Sequence, residues 1–155
     1  NDLLPLYRAC VGAFRDGKHQ VILSAGEQVD LAALGALPEN VAVYPRVDQI
    51  AVLEKADVFV SHCGMNSASE SLYFGVPLVL LPQTAEQGGV AERVFQLGAG
   101  IRPAAQDASG IRAAVERVLM DQNYRESAER IRDGFRRCGG ARAAADKILQ
   151  GCGKQ

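Results

Sequence analysis

Val58-Phe59-Val60-Ser61-His62-Cys63-Gly64-Met65-Asn66-Ser67-Ala68-Ser69-Glu70-Ser71-Leu72-Tyr73-Phe74 reads as a strand that passes through a glycine turn into a helix. Val58 to Ser61 is a short β-branched and aromatic run, and Asn66 to Phe74 carries the helix behind it. The same unit recurs on both sides. Gln20–Ser24, closed by Ala25-Gly26, is a strand, as are Val41–Tyr44, ended by Pro45, and Leu78–Leu81, bounded by Pro77 and Pro82. Ile101-Arg102 is a short fifth strand. Helical segments lie between: Leu3 to Asp16, Val29 to Leu37, Gln49 to Lys55 and Ala85 to Gln96. The first has apolar residues at 3, 4, 6, 7, 10, 11 and 14, a helical period.

From Ser109, read as an N-cap, the chain is helical. Ile111, Val115, Val118 and Leu119 form one stripe, Tyr124 to Arg137 a second helix stopped by Gly139-Gly140, and Ala141 to Leu149 the last. Strands alternating with helices predict an α/β fold, a Rossmann-like doubly wound parallel sheet with helices on both faces. Residues 1–155 form one domain, of which 109–155 are C-terminal helices.

Composition narrows the class. At 155 residues, 48% hydrophobic and 23% charged, the chain matches an ordinary globular domain and excludes a disordered or collagen-like one. A net charge of -1 argues against a nucleic-acid partner, whose electrostatic footprint is basic. The longest apolar run, Val76 to Leu81, holds Pro77 and falls far short of the roughly 20 residues of a membrane span. The start, Asn1-Asp2-Leu3-Leu4-Pro5, has no initiator Met and no signal pattern, and reads as the middle of something longer. Cys10, Cys63, Cys138 and Cys152 form no CxxC pair, which fits free thiols in a reducing cytoplasm. Two distant histidines and these scattered cysteines make no metal-ligand set. His62 beside Cys63 is not a nucleophile–base pair, because strand neighbours point to opposite faces.

In doubly wound sheets ligands bind beyond the carboxyl ends of the strands. The turn at Gly64 offers free backbone N–H groups and the positive end of a helix dipole, a phosphate site. His62 adds a donor there, as do Asn66 and Ser67 in the first turn. Glu70, one turn on, is a carboxylate that can accept both hydroxyls of a ribose. Glu86 and Gln87, at the helix start after the fourth strand, can bind vicinal hydroxyls of a hexose. After the second strand, Arg46 can stack its guanidinium on a base whose edge the Val47 backbone can read. Taken singly, each has a plainer reading: a turn glycine, a solvent carboxylate, a first-turn acid favoured by the dipole, an exposed arginine.

In combination they resemble a known signature. His62-Cys63-Gly64-Met65-Asn66-Ser67, then Glu70-Ser71-Leu72, Gly75-Val76-Pro77, Pro82 and Glu86-Gln87, are similar to UDP-sugar-dependent glycosyltransferases of family 1, which have the GT-B fold. The similarity is strongest from Asn40 to Ile101. Gly139-Gly140-Ala141, and the separation of Gln49 from His62, fit the bacterial macrolide-glycosyltransferase branch.

The resemblance implies that this is the C-terminal, donor-binding half of such an enzyme. It places His62, Gly64, Asn66 and Ser67 on the diphosphate, Glu70 on the ribose, and Glu86 and Gln87 on the donor sugar. Arg46, Val47 and Gln49 fall on the uracil, Gln49 matching the Gln that closes the base-binding segment. The chain departs from the pattern at Arg46, where many members stack a Trp, at Asp48, where many carry Pro, and at Glu86, where many carry Asp.

In the family the domain opens with a further strand, not found ahead of Leu3. The general base belongs to an acceptor-binding N-terminal domain, so no catalytic residue is expected in these residues and the fragment alone is expected to be inactive. His19 reads as structural or solvent-exposed, Met65 as a packing residue, and the arginines between 112 and 142 as a solvated helix face.

The implied reaction moves a hexose, glucose first, from UDP-sugar to a hydroxyl of a small lipophilic acceptor, with no metal or other cofactor. Two alternatives share these residues: a one-domain donor-binding subunit of a split glycosyltransferase, and a sugar-nucleotide epimerase-like domain.

Overall fold

β1 (Val21–Ser24) and β2 (Val41–Tyr44) run parallel, in register from Val21 opposite Val41 to Ser24 opposite Tyr44. A second parallel ladder joins β3 (Phe59–Ser61), β4 (Leu78–Leu80) and β5 (Gly100–Ile101) in that order. The computed structural model describes residues 3–152, so Asn1 and Asp2 and the end of the domain from Gly153 lie outside the described residues. Parallel neighbours need crossovers. α3 (Met65–Tyr73) connects β3 to β4, and α4 (Ala85–Gln96) connects β4 to β5. α1 (Leu4–Ala13) precedes β1, α2 (Gln49–Leu53) precedes β3, and α5 (Ala108–Met120), α6 (Gln122–Arg137) and α7 (Gly140–Cys152) complete the order.

The core confirms helices on both faces. All of β4 is buried, as a central parallel strand should be. Its side chains alternate between two layers. Val79 joins Val11 and Phe14 from the α1 side and Ile111, Val115 and Val118 of α5. Leu78 and Leu80 join Ala68 and Leu72 of α3, Ala91 and Val94 of α4, and Ala128 of α6.

The expected continuous sheet is divided. Among the described residues β1 pairs only with β2, and β3 only with β4. With these strands in places 2 to 6 of the doubly wound order 3-2-1-4-5-6, the break falls at place 1. That is the place of the strand that the resemblance leads one to expect ahead of Leu3.

Other boundaries shift for local reasons. The segment from Val29 to Leu37 winds only as a 3₁₀ turn, Leu31–Leu34. Asp30 caps it and Gly35, at φ 75°, ends it. Asp107, not Ser109, caps α5: its carboxylate accepts from Gly110 N at 2.8 Å, and the Ser109 hydroxyl donates to the same oxygen at 2.8 Å. A carboxylate outcompetes the serine because it accepts from both groups at once. Asp121 likewise starts α6 two residues ahead of Tyr124.

The arginines of α5 and α6 are not simply a solvated face. Arg112 donates to both carboxylate oxygens of Asp16 at 2.8 and 2.7 Å, to Ala13 O at 3.0 Å and to Glu116 at 2.7 Å, locking α5 to the end of α1. His19 Nε2 lies 3.0 Å from Glu116 Oε1 in the same cluster, which gives it a structural role. Arg125 donates to the carbonyls of Gly75, 3.3 Å, and Asp57, 2.9 Å, tying α6 to the loops that flank α3 and β3.

Candidate functional site

The site is built at the end of β3. Ser61 is buried, and its hydroxyl accepts from Cys63 N at 3.1 Å. Cys63 takes φ 65°, a left-handed conformation that costs a non-glycine residue on the order of 1 kcal/mol or more. It is held there by its burial and by its thiol, which donates to Ser61 O at 3.3 Å. Burial pushes that thiol up to about 11, so it stays protonated at neutral pH and is no nucleophile. The turn leaves His62 exposed and starts α3 at once.

α3 begins without a side-chain cap, unlike α2, α4, α5 and α6, whose first N–H groups are taken by Asp48, Thr84, Asp107 and Asp121. Its N-cap is Gly64, at φ -58° and ψ 141°, a conformation open to any residue. What glycine gives there is room for the imidazole. A Cβ on Gly64 would come within 2.7 Å of His62 Nε2, so the imidazole lies against the bare backbone. Asn66 is exposed and Ser67 half-buried in the first turn. Gly64, Asn66 and Ser67 thus lie at the positive end of the helix.

Glu70 follows one turn later, half-buried. Gln49, the first residue of α2, donates to Glu70 Oε2 at 2.6 Å and reaches Ser67 Oγ at 3.4 Å. The base-segment residue therefore faces the helix that carries the phosphate and ribose candidates. Arg46 stands apart from it, 81% exposed, with Nη2 3.3 Å from Glu27 Oε1. Both line a cleft of about 740 Å³ between the loops after β1 and β2, with Tyr7 and Leu4 of α1 on another wall. The peptide of Val47 makes no hydrogen bond among the described residues.

Glu86 lies in the first turn of α4 and lines an apolar cleft of about 380 Å³ between α3 and α4, together with Met65 and Ser69. Met65 is 60% exposed, so it borders the cleft and does not pack as expected. Gln87 turns inward: its Oε1 accepts from Gln83 N at 2.8 Å, which fixes the loop after β4. Its amide N–H₂ is left as the free end. Among the described residues no three His, Cys, Asp or Glu side chains are grouped to hold a metal ion.

Comparison with known proteins gives the family and the fold. The model of the erythromycin biosynthesis protein CIII-like C-terminal domain matches residues 9–137. The chain belongs to that family. It is 40% identical over 144 residues to the NDP-glycosyltransferase YjiC of Bacillus licheniformis, covering 92% of this chain and 36% of the relative. It is 37% identical over 150 residues to the demethyllactenocin mycarosyltransferase of Streptomyces fradiae, 96% of this chain and 32% of that one. The calicheamicin glycosyltransferase CalG4 superposes with a TM-score of 0.91 at 35% identity, over 99% of this chain and 40% of that structure. The chain thus spans about a third to two fifths of these relatives, and has the fold of their C-terminal GT-B half.

Within this CIII-like domain, one residue that lines the Arg46 cleft escapes the sequence reading. Glu27 follows β1 as Arg46 follows β2, so the carboxyl-end rule for doubly wound sheets would have flagged it. Ala25-Gly26 reads only as the close of a strand, and an exposed glutamate after glycine carries no signal by itself. No helix among the described residues is long and apolar enough to cross a membrane. Cys10, Cys63 and Cys138 are free thiols, and the side chain of Cys152 lies outside the described residues.

Proposed function

We propose that this chain is the donor-binding part of an inverting glycosyltransferase that moves a hexose, glucose first, from UDP to a hydroxyl of a small lipophilic acceptor. The observation that carries the reading is the uncapped start of α3, with His62 lying on Gly64 and Glu70 one turn behind. In this reading the diphosphate takes the free N–H groups of α3 and hydrogen bonds from His62, Asn66 and Ser67. Glu70 accepts the ribose hydroxyls, while Arg46 and Val47 meet the base. Glu86, with the free amide end of Gln87, meets the sugar. As the bond to the sugar breaks, negative charge grows on the departing diphosphate. Helix dipole and imidazole stabilise that charge without a metal. The base that deprotonates the acceptor would come from outside these residues.

The relatives' names span unspecified nucleoside-diphosphate donors and mycarose, so the base is tested by titration. Calorimetry with UDP should give binding that Glu70→Ala weakens about tenfold or more, as loss of charge-assisted hydrogen bonds requires, and with dTDP, which lacks the 2′-hydroxyl, a smaller loss. Equal heats for wild type and variant would remove the ribose role. Incubating the full-length enzyme with UDP-glucose, with and without a phenolic acceptor, tests the reaction. Product formed without acceptor would favour the epimerase-like alternative and sink the transferase reading.

A further inference from the structure

Three residues expected to serve different parts of the ligand are hydrogen-bonded to one another. Gln49 Nε2 donates to Glu70 Oε2 at 2.6 Å and reaches Ser67 Oγ at 3.4 Å. The first contact is short, as a bond to an ionised carboxylate is. Both residues are half-buried, which shields the contact from competing water.

The two ends are anchored. Asp48 caps α2 through Ala51 N at 3.1 Å, so the backbone that carries Gln49 is fixed. Glu70 sits mid-helix on α3, whose end is held in turn by Ser71, whose hydroxyl donates to Val76 O at 2.9 Å. With the backbone fixed, the Glu70 carboxyl can still turn about its side-chain torsions, of which χ3 is broad with no sharp well. Gln49 removes it by fixing Oε2. Oε1 accepts nothing among the described residues. A carboxylate offers about four lone-pair sites, so Oε1 and the second lone pair of Oε2 remain for a pair of neighbouring hydroxyls.

We infer that Gln49 is a positioning residue: it sets the Glu70 carboxylate for a vicinal diol, and so helps a ribonucleotide bind in preference to its 2′-deoxy form. The inference rests on the proposed ribose role of Glu70. It assigns Gln49 an action through that carboxylate, not a contact with the base.

A double-mutant cycle separates the two. The intact protein is titrated with UDP and 2′-deoxy-UDP as wild type, Gln49→Ala, Glu70→Gln and the double variant. Gln49→Ala should weaken UDP about tenfold and 2′-deoxy-UDP much less, so the preference between them shrinks. In the Glu70→Gln background the same substitution should cost UDP much less than in wild type, because no carboxylate remains to be set for the diol. Gln49→Glu keeps the side-chain length and sets two carboxylates together. It should weaken UDP at neutral pH and recover as the pH falls and the introduced carboxyl protonates and donates.

Multiplicative effects of the two single variants, or an unchanged preference in Gln49→Ala, would overturn the positioning role while leaving Glu70 as the ribose reader. Wild-type affinity and preference in Glu70→Gln would overturn both. Melting curves of each variant exclude loss of fold as the cause.

Discussion

Arg46 and Glu27 meet at 3.3 Å on the lining of the cleft between the loops after β1 and β2, each largely exposed. A pair so open to water contributes about 0–1 kcal/mol, so it does little for the fold. It does decide what the guanidinium is doing when a ligand arrives. Paired, Arg46 has part of its charge answered, and a carboxylate stands near the path of an anionic nucleotide. Glu27→Ala should therefore leave the melting temperature unchanged and tighten UDP binding about two- to fivefold at low salt. The gain should vanish in an Arg46→Ala background. Weaker binding in Glu27→Ala would mean that the carboxylate itself serves the ligand.

Gly64→Ala tests the close approach of His62. The backbone there suits alanine, so stability should fall by less than about 1 kcal/mol. The added methyl would strike Nε2, and the ring must swing away. UDP binding should drop by about the amount His62→Ala costs, on the order of tenfold. The two changes together should cost no more than either alone. Additive losses would separate the imidazole from the turn.

The Arg112 cluster predicts a pH profile. Its guanidinium hydrogen-bonds to Asp16 and holds that carboxyl far below the ordinary range. His19 first and Arg112 second lower Glu116. Carboxylates with depressed folded-state pKa values stabilise the fold above their unfolded values and lose that contribution as pH falls through the folded ones. Arg112→Leu should therefore melt lower than wild type at pH 7. The gap should close as the pH drops below about 4. A gap independent of pH would assign Arg112 to packing alone, including its contact with the Phe14 ring.

Thiol labelling checks the β3–α3 turn. Cys138 is exposed, while Cys10 is half-buried and Cys63 buried, with both thiols pushed up to about 11 by burial. An alkylating reagent at pH 8 should modify Cys138 first and Cys63 only in denaturant. Fast native labelling of Cys63 would show that the turn opens.

The β3–α3 unit is legible in sequence because two independent signals coincide there: a β-branched run that must be buried, and a glycine followed by small polar residues that suit a helix start. The division of the sheet is not legible, since a strand's pattern records which faces are covered and not which neighbour lies at its edge. The roles of Arg112 and Arg125 are hidden for a related reason. Mixed charges at helical spacing look the same whether the partner is water or a carbonyl 50 residues away, as Gly75 is for Arg125. Glu86 and Gln87 are adjacent and look equivalent, yet one faces a cleft and the other holds its own loop. Helix phase alone separates them.

The broken ladder has a practical side. β1 and β3 each expose one edge of backbone N–H and C=O groups to no strand among the described residues, and such edges recruit extended chains of any origin. Neither strand carries the lysine, proline or bulge that natural edges use as a deterrent. Self-association through these edges, where it occurs, rises with concentration. Affinities measured on this chain belong at low micromolar protein, alongside a light-scattering control.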